Sequence, residues 1–310
     1  MIRIEGAMFT DKRLTEAYKN AKIEHFDNNS RYILFSDVHR GDDSASDVFA
    51  RNQTVFVHAL DYYYNNGYTY IELGDGDDLW EHSNYKLIRY AHSDVFIVMK
   101  KFFDENRLIL MYGNHNLDLK DKYFVKNNLY YYFDEYNKNM TELFPNIVTH
   151  EAVVLKEKTT KQEIYLVHGH QGDLFNDKLW FLSMLAVRYF WRYLHVVGFT
   201  NPASPSKNAY KRHKIEKKYK RWIKNHKRVL ICGHTHRARF PKKGELPYFN
   251  TGCCIHSKKI TGIEIINGAI LMVDWRIRSD DNGILTIKRT VVKGPVPLSV
   301  FQARNKIWDI

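Results

Sequence analysis

Residues 68–80 read YTYIELGDGDDLW, an apolar run that ends on glycine and opens into a loop carrying Asp75, Asp77 and Asp78. A short apolar run rich in aromatic and β-branched residues and stopped by glycine predicts a buried strand, here Tyr68 to Leu73, with carboxylates at its C-terminal end. The same arrangement recurs four times. YILF precedes Ser36, Asp37 and His39; LILMY precedes Gly113-Asn114-His115; IYLV precedes His168-Gly169-His170; VLIC precedes Gly233-His234-Thr235-His236. Strands buried on both faces read as continuous apolar runs, and open α/β sheets place their chemistry just beyond the strand C-termini. Five such loops predict one site that collects its residues from most of the chain.

Helical stretches separate the strands in the first half, at Ala45 to Asn65 and at Lys86 to Asn106, which is the βαβ rhythm of an α/β fold. Later strands are expected at Ile147 to Leu155, Glu163 to Val167, Pro247 to Gly252, Lys259 to Ile266, Ile270 to Ile277 and Ile284 to Val292. Two packed sheets flanked by helices accommodate both halves. Ligand loops scattered from residue 37 to residue 236 favour a single domain over residues 1–310, a length that can bury a substantial core. At 44% hydrophobic and 26% charged residues, the composition excludes disordered and fibrous classes. The cysteines are Cys232, Cys253 and Cys254, two of them adjacent, so no disulfide framework and no cysteine zinc site is expected. The start, MIRIEGAMFTDKR, has no signal-type apolar stretch, and a cytoplasmic location is expected, with peripheral membrane contact as a variant.

Carboxylates, imidazoles and an amide suit borderline divalent metals such as Mn, Fe, Zn or Co. Asp37 and His39 can face one ion, Asp75 can offer an oxygen to each of two, and Asn114, His168, His234 and His236 add neutral donors. Two ions roughly 3.5–4 Å apart polarise a phosphoryl group and generate a bridging hydroxide at neutral pH. Taken singly, each cluster has a plainer explanation. Asp37 suits a helix N-cap, Gly74 to Asp78 an acidic turn, and Gly113-Asn114 a turn signal. The plain explanations do not account for five clusters in order, each at a strand end.

In that order, Asp-x-His, Gly-Asp-x-x-Asp, Gly-Asn-His, His and Gly-His-x-His, the chain resembles the calcineurin-like metallophosphoesterase superfamily over residues 30–255. The resemblance implies a four-layer αββα sandwich and a dinuclear, metal-dependent phosphoesterase. By it, Asp37, His39 and His236 hold one metal, Asn114, His168 and His234 hold the other, and Asp75 bridges them, with two divalent ions, Mn foremost, as cofactors. It also implies that His115, held by Asp78, protonates or stabilises the leaving oxygen; an unliganded imidazole fixed by a carboxylate suits that task. Of His168 and His170, the second is read as structural. Two positions depart from the family pattern: Asn116 stands where an acid is usual, weakening a local hydrogen bond, and Leu79 stands where the protein Ser/Thr phosphatase branch has arginine.

Residues 174–228 form an insertion between the fourth and fifth clusters. Its first half, LWFLSMLAVRYFWRYLHVVGF, is apolar almost all round, with Arg188, Arg192 and His195 as one polar stripe, and predicts a helix too charged to span a membrane. Its second half holds eleven Lys or Arg between residues 206 and 228 against one acid, Glu216, which accounts for +10 of the chain's +12. There Ile215, Tyr219, Trp222 and Ile223 predict an amphipathic cationic helix. The insertion is read as a lid, with Arg188, Arg192, Lys211 and Lys218 as substrate contacts. HGH-x-x-D (His168 to Asp173) and GHTHR (Gly233 to Arg237) resemble UDP-diacylglucosamine pyrophosphatases, implying as one alternative a nucleotide-linked lipid substrate and an anionic membrane surface. A different alternative is nucleic-acid binding, with Tyr210, Tyr219 and Trp222 stacking bases among the lysines. A third is a non-catalytic scaffold. Arg40, Asp42, Asp173 and Asp177 are either substrate-shaping or surface residues, and Cys253 and Cys254 are expected in the core.

Overall fold

The structure, a computed structural model, describes residues 2–134, 137–177, 180–191, 208–257, 259–302 and 305–308. In chain order the strands are β1 (Lys22–Phe26), β2 (Tyr32–Phe35), β3 (Thr69–Leu73), β4 (Leu108–Met111), β5 (Tyr131–Asp134), β6 (Asn139–Glu142), β7 (Thr149–His150), β8 (Ala152–Glu157), β9 (Glu163–Val167), β10 (Val229–Cys232), β11 (Tyr248–Asn250), β12 (Ile260–Ile266), β13 (Ala269–Ser279) and β14 (Leu285–Pro297). The helices are α1 (Ile2–Lys19), α2 (Gln53–Asn65), α3 (Tyr85–Ala91), α4 (Ser93–Asp104), α5 (Lys122–Leu129), α6 (Leu174–Asp177), α7 (Trp180–Ala186) and α8 (Ala209–His226).

All five apolar runs are strands, and each is buried along its length apart from the first residues of β3, β4 and β9. They divide between two mixed sheets. One has seven strands in the order β14-β13-β12-β2-β3-β4-β7, with β2, β3, β4 and β7 parallel; the other has five, in the order β1-β8-β9-β10-β11, with β9, β10 and β11 parallel. Their inner faces meet in a dry layer that includes Leu34, Ile71, Leu73, Met111, Leu166 and Ile231. Burying each such side chain contributes about 1.5–3 kcal/mol, which makes this interface a main source of cohesion. Outside the seven-stranded sheet lie α2 to α5, joined through Phe56, Tyr63, Phe96 and Phe102; outside the five-stranded sheet lie α1 and α8. The architecture is the expected αββα sandwich.

The cationic helix α8 owes its place to its apolar stripe. Ile215, Tyr219, Trp222 and Ile223 are buried against β9 and β10, and the Trp222 indole donates to Thr15 on α1 (3.0 Å). Tyr219 and Trp222 are each 1% exposed, so neither can stack a base; of the three aromatics proposed for that role only Tyr210 is exposed. The first half of the insertion is helical where it is described, in α6 and α7, but it is not α-helical throughout: Val187–Trp191 continues as a π-helix. Arg192 and His195 lie outside the described residues. Among the described residues, no helix is long and apolar enough to cross a membrane. The N-terminal helix α1 and the hairpin of β5 and β6 were not expected. In α1 Leu14 and Ala17 are buried, yet its periodicity is weak because Arg13 sits on the inner side, held by Glu151 and Asp177.

Candidate metal centre

Every ligand loop begins where its strand runs out. Asp37 and His39 follow β2, Asp75 follows β3, Asn114 follows β4, His168 follows β9, and His234 and His236 follow β10. The loops are tightly wound. Asp37, His39, Asp75, His234 and His236 all have φ between 51° and 65°, the left-handed region that costs a non-glycine residue of order 1–3 kcal/mol and persists only where the surroundings enforce it. Enforcement comes from the backbone: Asp37 N donates to Gly74 O (3.1 Å), His39 N to Asp75 O (3.0 Å) and Gly233 N to His168 O (2.8 Å). Glycine is needed where chains pass closest. A Cβ on Gly113 would stand 2.1 Å from Asp75 Oδ1, and one on Gly74 would stand 2.6 Å from the His168 ring.

Three sets of donor atoms converge: Asp37 with His39 and His236, His39 with Asp75 and His115, and Asp75 with His168 and His234, each set with its atoms within 4.8 Å of one another. Asp75 belongs to two sets. All seven residues except His115 and His236 are buried. His236 Nε2 lies 3.1 Å from Asp37 Oδ1, His39 Nε2 lies 3.2 Å from His236 Nε2, and His168 Nε2 lies 3.0 Å from Asp75 Oδ2.

The tautomers are set from behind. His168 Nδ1 donates to Leu73 O (2.9 Å) and His39 Nδ1 to Asp78 Oδ2 (3.0 Å), which turns each Nε2 lone pair inward, as outer partners of metal-ligating histidines do. Asn114 Oδ1 is buried and accepts no hydrogen bond among the described residues. An amide oxygen left dry costs about 1–3 kcal/mol, and a cation would satisfy it. Donor chemistry, inward lone pairs and the orphaned oxygen all fit divalent metal ions.

Charge tells the same story. Burial would push the Asp37 carboxyl up, but His236 beside it brings it down to about 2; Asp75, buried and facing His168 and His115, is held well below the usual carboxylate range. Burial would lower His115, and Asp78 and Asp75 outweigh it to raise the imidazole to about 9. His115 Nδ1 donates to Asp78 Oδ1 (2.9 Å), its backbone N–H donates to Asp75 Oδ1 (2.8 Å), and its ring stacks on Trp80 with centroids 4.3 Å apart. Asp78 therefore fixes both His39 and His115.

The structure places His170 outside the three sets. It is buried, with its protonation suppressed by burial and by His168. Asn116 departs from expectation: its Oδ1 accepts from Gly113 N (2.7 Å) and Asp75 N (3.3 Å), so the amide retains a carboxylate's acceptor role and only Nδ2 lacks a partner. Arg188 does reach the site's rim, donating to Leu79 O (2.8 Å) and Trp80 O (3.3 Å). Lys211 Nζ lies 3.4 Å from Asp173, and Lys218 is half-buried, its ammonium disfavoured by burial and by Lys214. Arg40 is not a surface residue: it is buried between Glu72 and Asp77 at 2.7 Å from each. Asp42 pairs with His82 (2.8 Å) and Asp177 with Arg13 (3.1 Å). Cys253 and Cys254 are buried, and burial pushes the Cys253 thiol up to about 12.

Sequence reasoning missed the supports. Ser36 Oγ binds Asp37 and lies 2.6 Å from Thr251 Oγ1, and Asn250 Nδ2 donates to Gly233 O (2.5 Å). None of these belongs to a ligand motif, and Asn250 and Thr251 lie beyond the last one.

No protein-family model and no curated protein matches the sequence. Among solved structures, the chain is similar to Vps29 of Chaetomium thermophilum, at 10% identity over 86% of this chain and 96% of that one, with a TM-score of 0.35. It is also similar to a mutant cold-active protein tyrosine phosphatase, at 12% identity over 88% of this chain and 82% of that one, with a TM-score of 0.40.

Proposed function

We propose that this protein is a dinuclear metal-dependent phosphoesterase. The observation that carries the reading is the Asp75 carboxylate, common to two donor sets, beside the unsatisfied Asn114 oxygen. Asp37, His39 and His236 would hold one ion and Asn114, His168 and His234 the other, with Asp75 between them. Bound there, two divalent ions supply Lewis-acid polarisation of a phosphoryl oxygen and a hydroxide nucleophile at neutral pH. His115 would give its proton to the leaving oxygen. Two features support that role: Asp78 favours the protonated imidazole, and Asp78 and Trp80 fix its plane.

The test is hydrolysis of a chromogenic phosphodiester and monoester by Mn-reconstituted protein, with a chelated sample and Asp75→Asn as controls. Turnover lost in both controls is expected. Turnover that survives chelation would end this reading in favour of metal-independent hydrolysis, and a protein that binds no divalent ion and turns over neither ester would revive the scaffold.

A narrower reading takes the substrate to carry an apolar tail. Phe181, Leu182, Tyr189 and Phe190 are all more than half exposed on the segment that Arg188 anchors at the rim of the site. Faster turnover of an acyl-bearing phosphate ester than of its short-chain analogue, reversed by Phe181→Ser with Phe190→Ser, would support it. Equal rates would remove it.

A further inference from the structure

The Gly233–His236 loop has a second side. A cleft of about 260 Å³ lies between the start of α8 and the chain that leaves this loop, lined by Ala209, Arg212, His213, Glu216, Thr235, Arg237, Arg239 and Tyr248. Thr235 stands between His234 and His236, so the cleft begins within one residue, about 3.8 Å of backbone, of two candidate ligands. Three guanidiniums face one carboxylate from the lining, and Glu216 is already engaged by Lys220 (2.9 Å). Arg239 is tied to Glu245 (2.8 Å) through its terminal nitrogen, but its Nε is buried without a hydrogen-bond acceptor, 3.7 Å from Glu216 Oε1. Arg237 is exposed and makes no ion pair or hydrogen bond among the described residues. Ala209 opens α8, an eighteen-residue helix whose N-terminal end favours negative charge. The volume falls below the roughly 300–1,000 Å³ that holds a whole drug-sized ligand, so the cleft suits one group of a larger molecule.

We propose that this cleft is an oxyanion subsite that takes a second phosphate-type group of the substrate, distinct from the one cleaved. Arginine is suited to that task because its planar fork gives paired hydrogen bonds to phosphate oxygens. Arg212, Arg237 and Arg239 all line the cleft, and together they would supply the paired donors that such an anion takes. Assignment of the anion to a substrate rests on the phosphoesterase reading; the anion site itself does not.

The experiment separates the two. Inorganic pyrophosphate is titrated calorimetrically into full-length protein stripped of metal, so that the candidate metal centre contributes nothing through an ion. Saturable binding is expected, weakened tenfold or more by Arg237→Ala and by Arg212→Ala and partly restored by Arg237→Lys. Lys224→Ala, on the same helix but outside the cleft, should leave it within twofold. Absence of saturable binding, or equal weakening by Lys224→Ala, would overturn the subsite by showing no site or only diffuse attraction to the helix. Manganese titration of the same samples reads the metal centre separately. Binding of pyrophosphate with no uptake of metal would sink the phosphoesterase reading and leave the anion site standing.

Discussion

Gly113→Ala probes the close approach of two ligand loops with one methyl group. The new Cβ would lie 2.1 Å from Asp75 Oδ1, 2.7 Å from its Cγ and 2.7 Å from His168 Cδ2. Each contact falls roughly 1 Å short of ordinary separation, so Asp75 or His168 must retreat by about that much. Metal–ligand distances tolerate about ±0.2 Å, and a 1 Å misplacement costs on the order of a hundredfold in rate. Gly113 does not have the positive φ of Gly74, so alanine brings no backbone penalty of its own and the clash acts alone. The fold should survive with an overpacking cost of about 1–3 kcal/mol. We expect manganese affinity to fall by ten- to a hundredfold and turnover by at least a hundredfold, read by calorimetry and by chromogenic ester hydrolysis, with thermal unfolding as the check on folding. Affinity and turnover within threefold of wild type would refute the placement of Asp75 and His168 around shared ions.

Other perturbations reach separate parts of the molecule. Asp75→Asn should abolish measurable manganese uptake, whereas His170→Ala should leave it within about threefold and lower stability only, by about 1–3 kcal/mol; equal losses of metal would show that the two histidines of the fourth cluster were assigned wrongly. Asn116→Asp keeps the oxygen that binds Gly113 and Asp75, so its metal affinity should stay close to wild type while Asn116→Leu loses it; the two titrations decide this. Tyr219→Phe removes the hydroxyl that donates to Gly169 O (2.5 Å) and Gln171 O (3.1 Å) and should cost about 1–3 kcal/mol in urea unfolding, with no loss expected from Tyr210→Phe. Burial lowers His150 from 6.5 to about 4, so its contribution to stability is complete above about pH 6.5 and is lost as pH falls toward 4; His150→Gln should flatten that part of the stability profile, and an unchanged slope would reject the assignment.

The strands and the loops whose donor groups converge could be read because both are local. An apolar run such as VLIC followed by Gly-His-Thr-His states its burial and its chemistry within eight residues. What escaped was set by distant partners. Arg40 reads as a loop cation until Glu72 and Asp77 are seen to enclose it, and Tyr219 and Trp222 read as base-stacking among lysines until β9, β10 and α1 cover them. Helix α1 has buried residues but a charged inner neighbour, so its amphipathicity is blurred in the sequence. Asn116 reads as a weakened local hydrogen bond until its amide oxygen is seen to accept from the backbone N–H groups of both Gly113 and Asp75.

The candidate ligands are split between the sheets: Asp37, Asp75 and Asn114 hang from the seven-stranded one, and His168, His234 and His236 from the five-stranded one. An ion held by both sets would act as a rivet through the seam between them. At a hundred times its dissociation constant a bound ligand adds about 2.7 kcal/mol to the folded state, and here that increment would fall on the joint where the two halves must meet. The timing of synthesis follows as well. A chain emerging from the ribosome presents three of the oxygen donors early, but the last two imidazoles come more than a hundred residues later, at His234 and His236. Stable capture of both ions would therefore wait until β10 has docked, which makes metal uptake a late event and a reporter that the sandwich has closed.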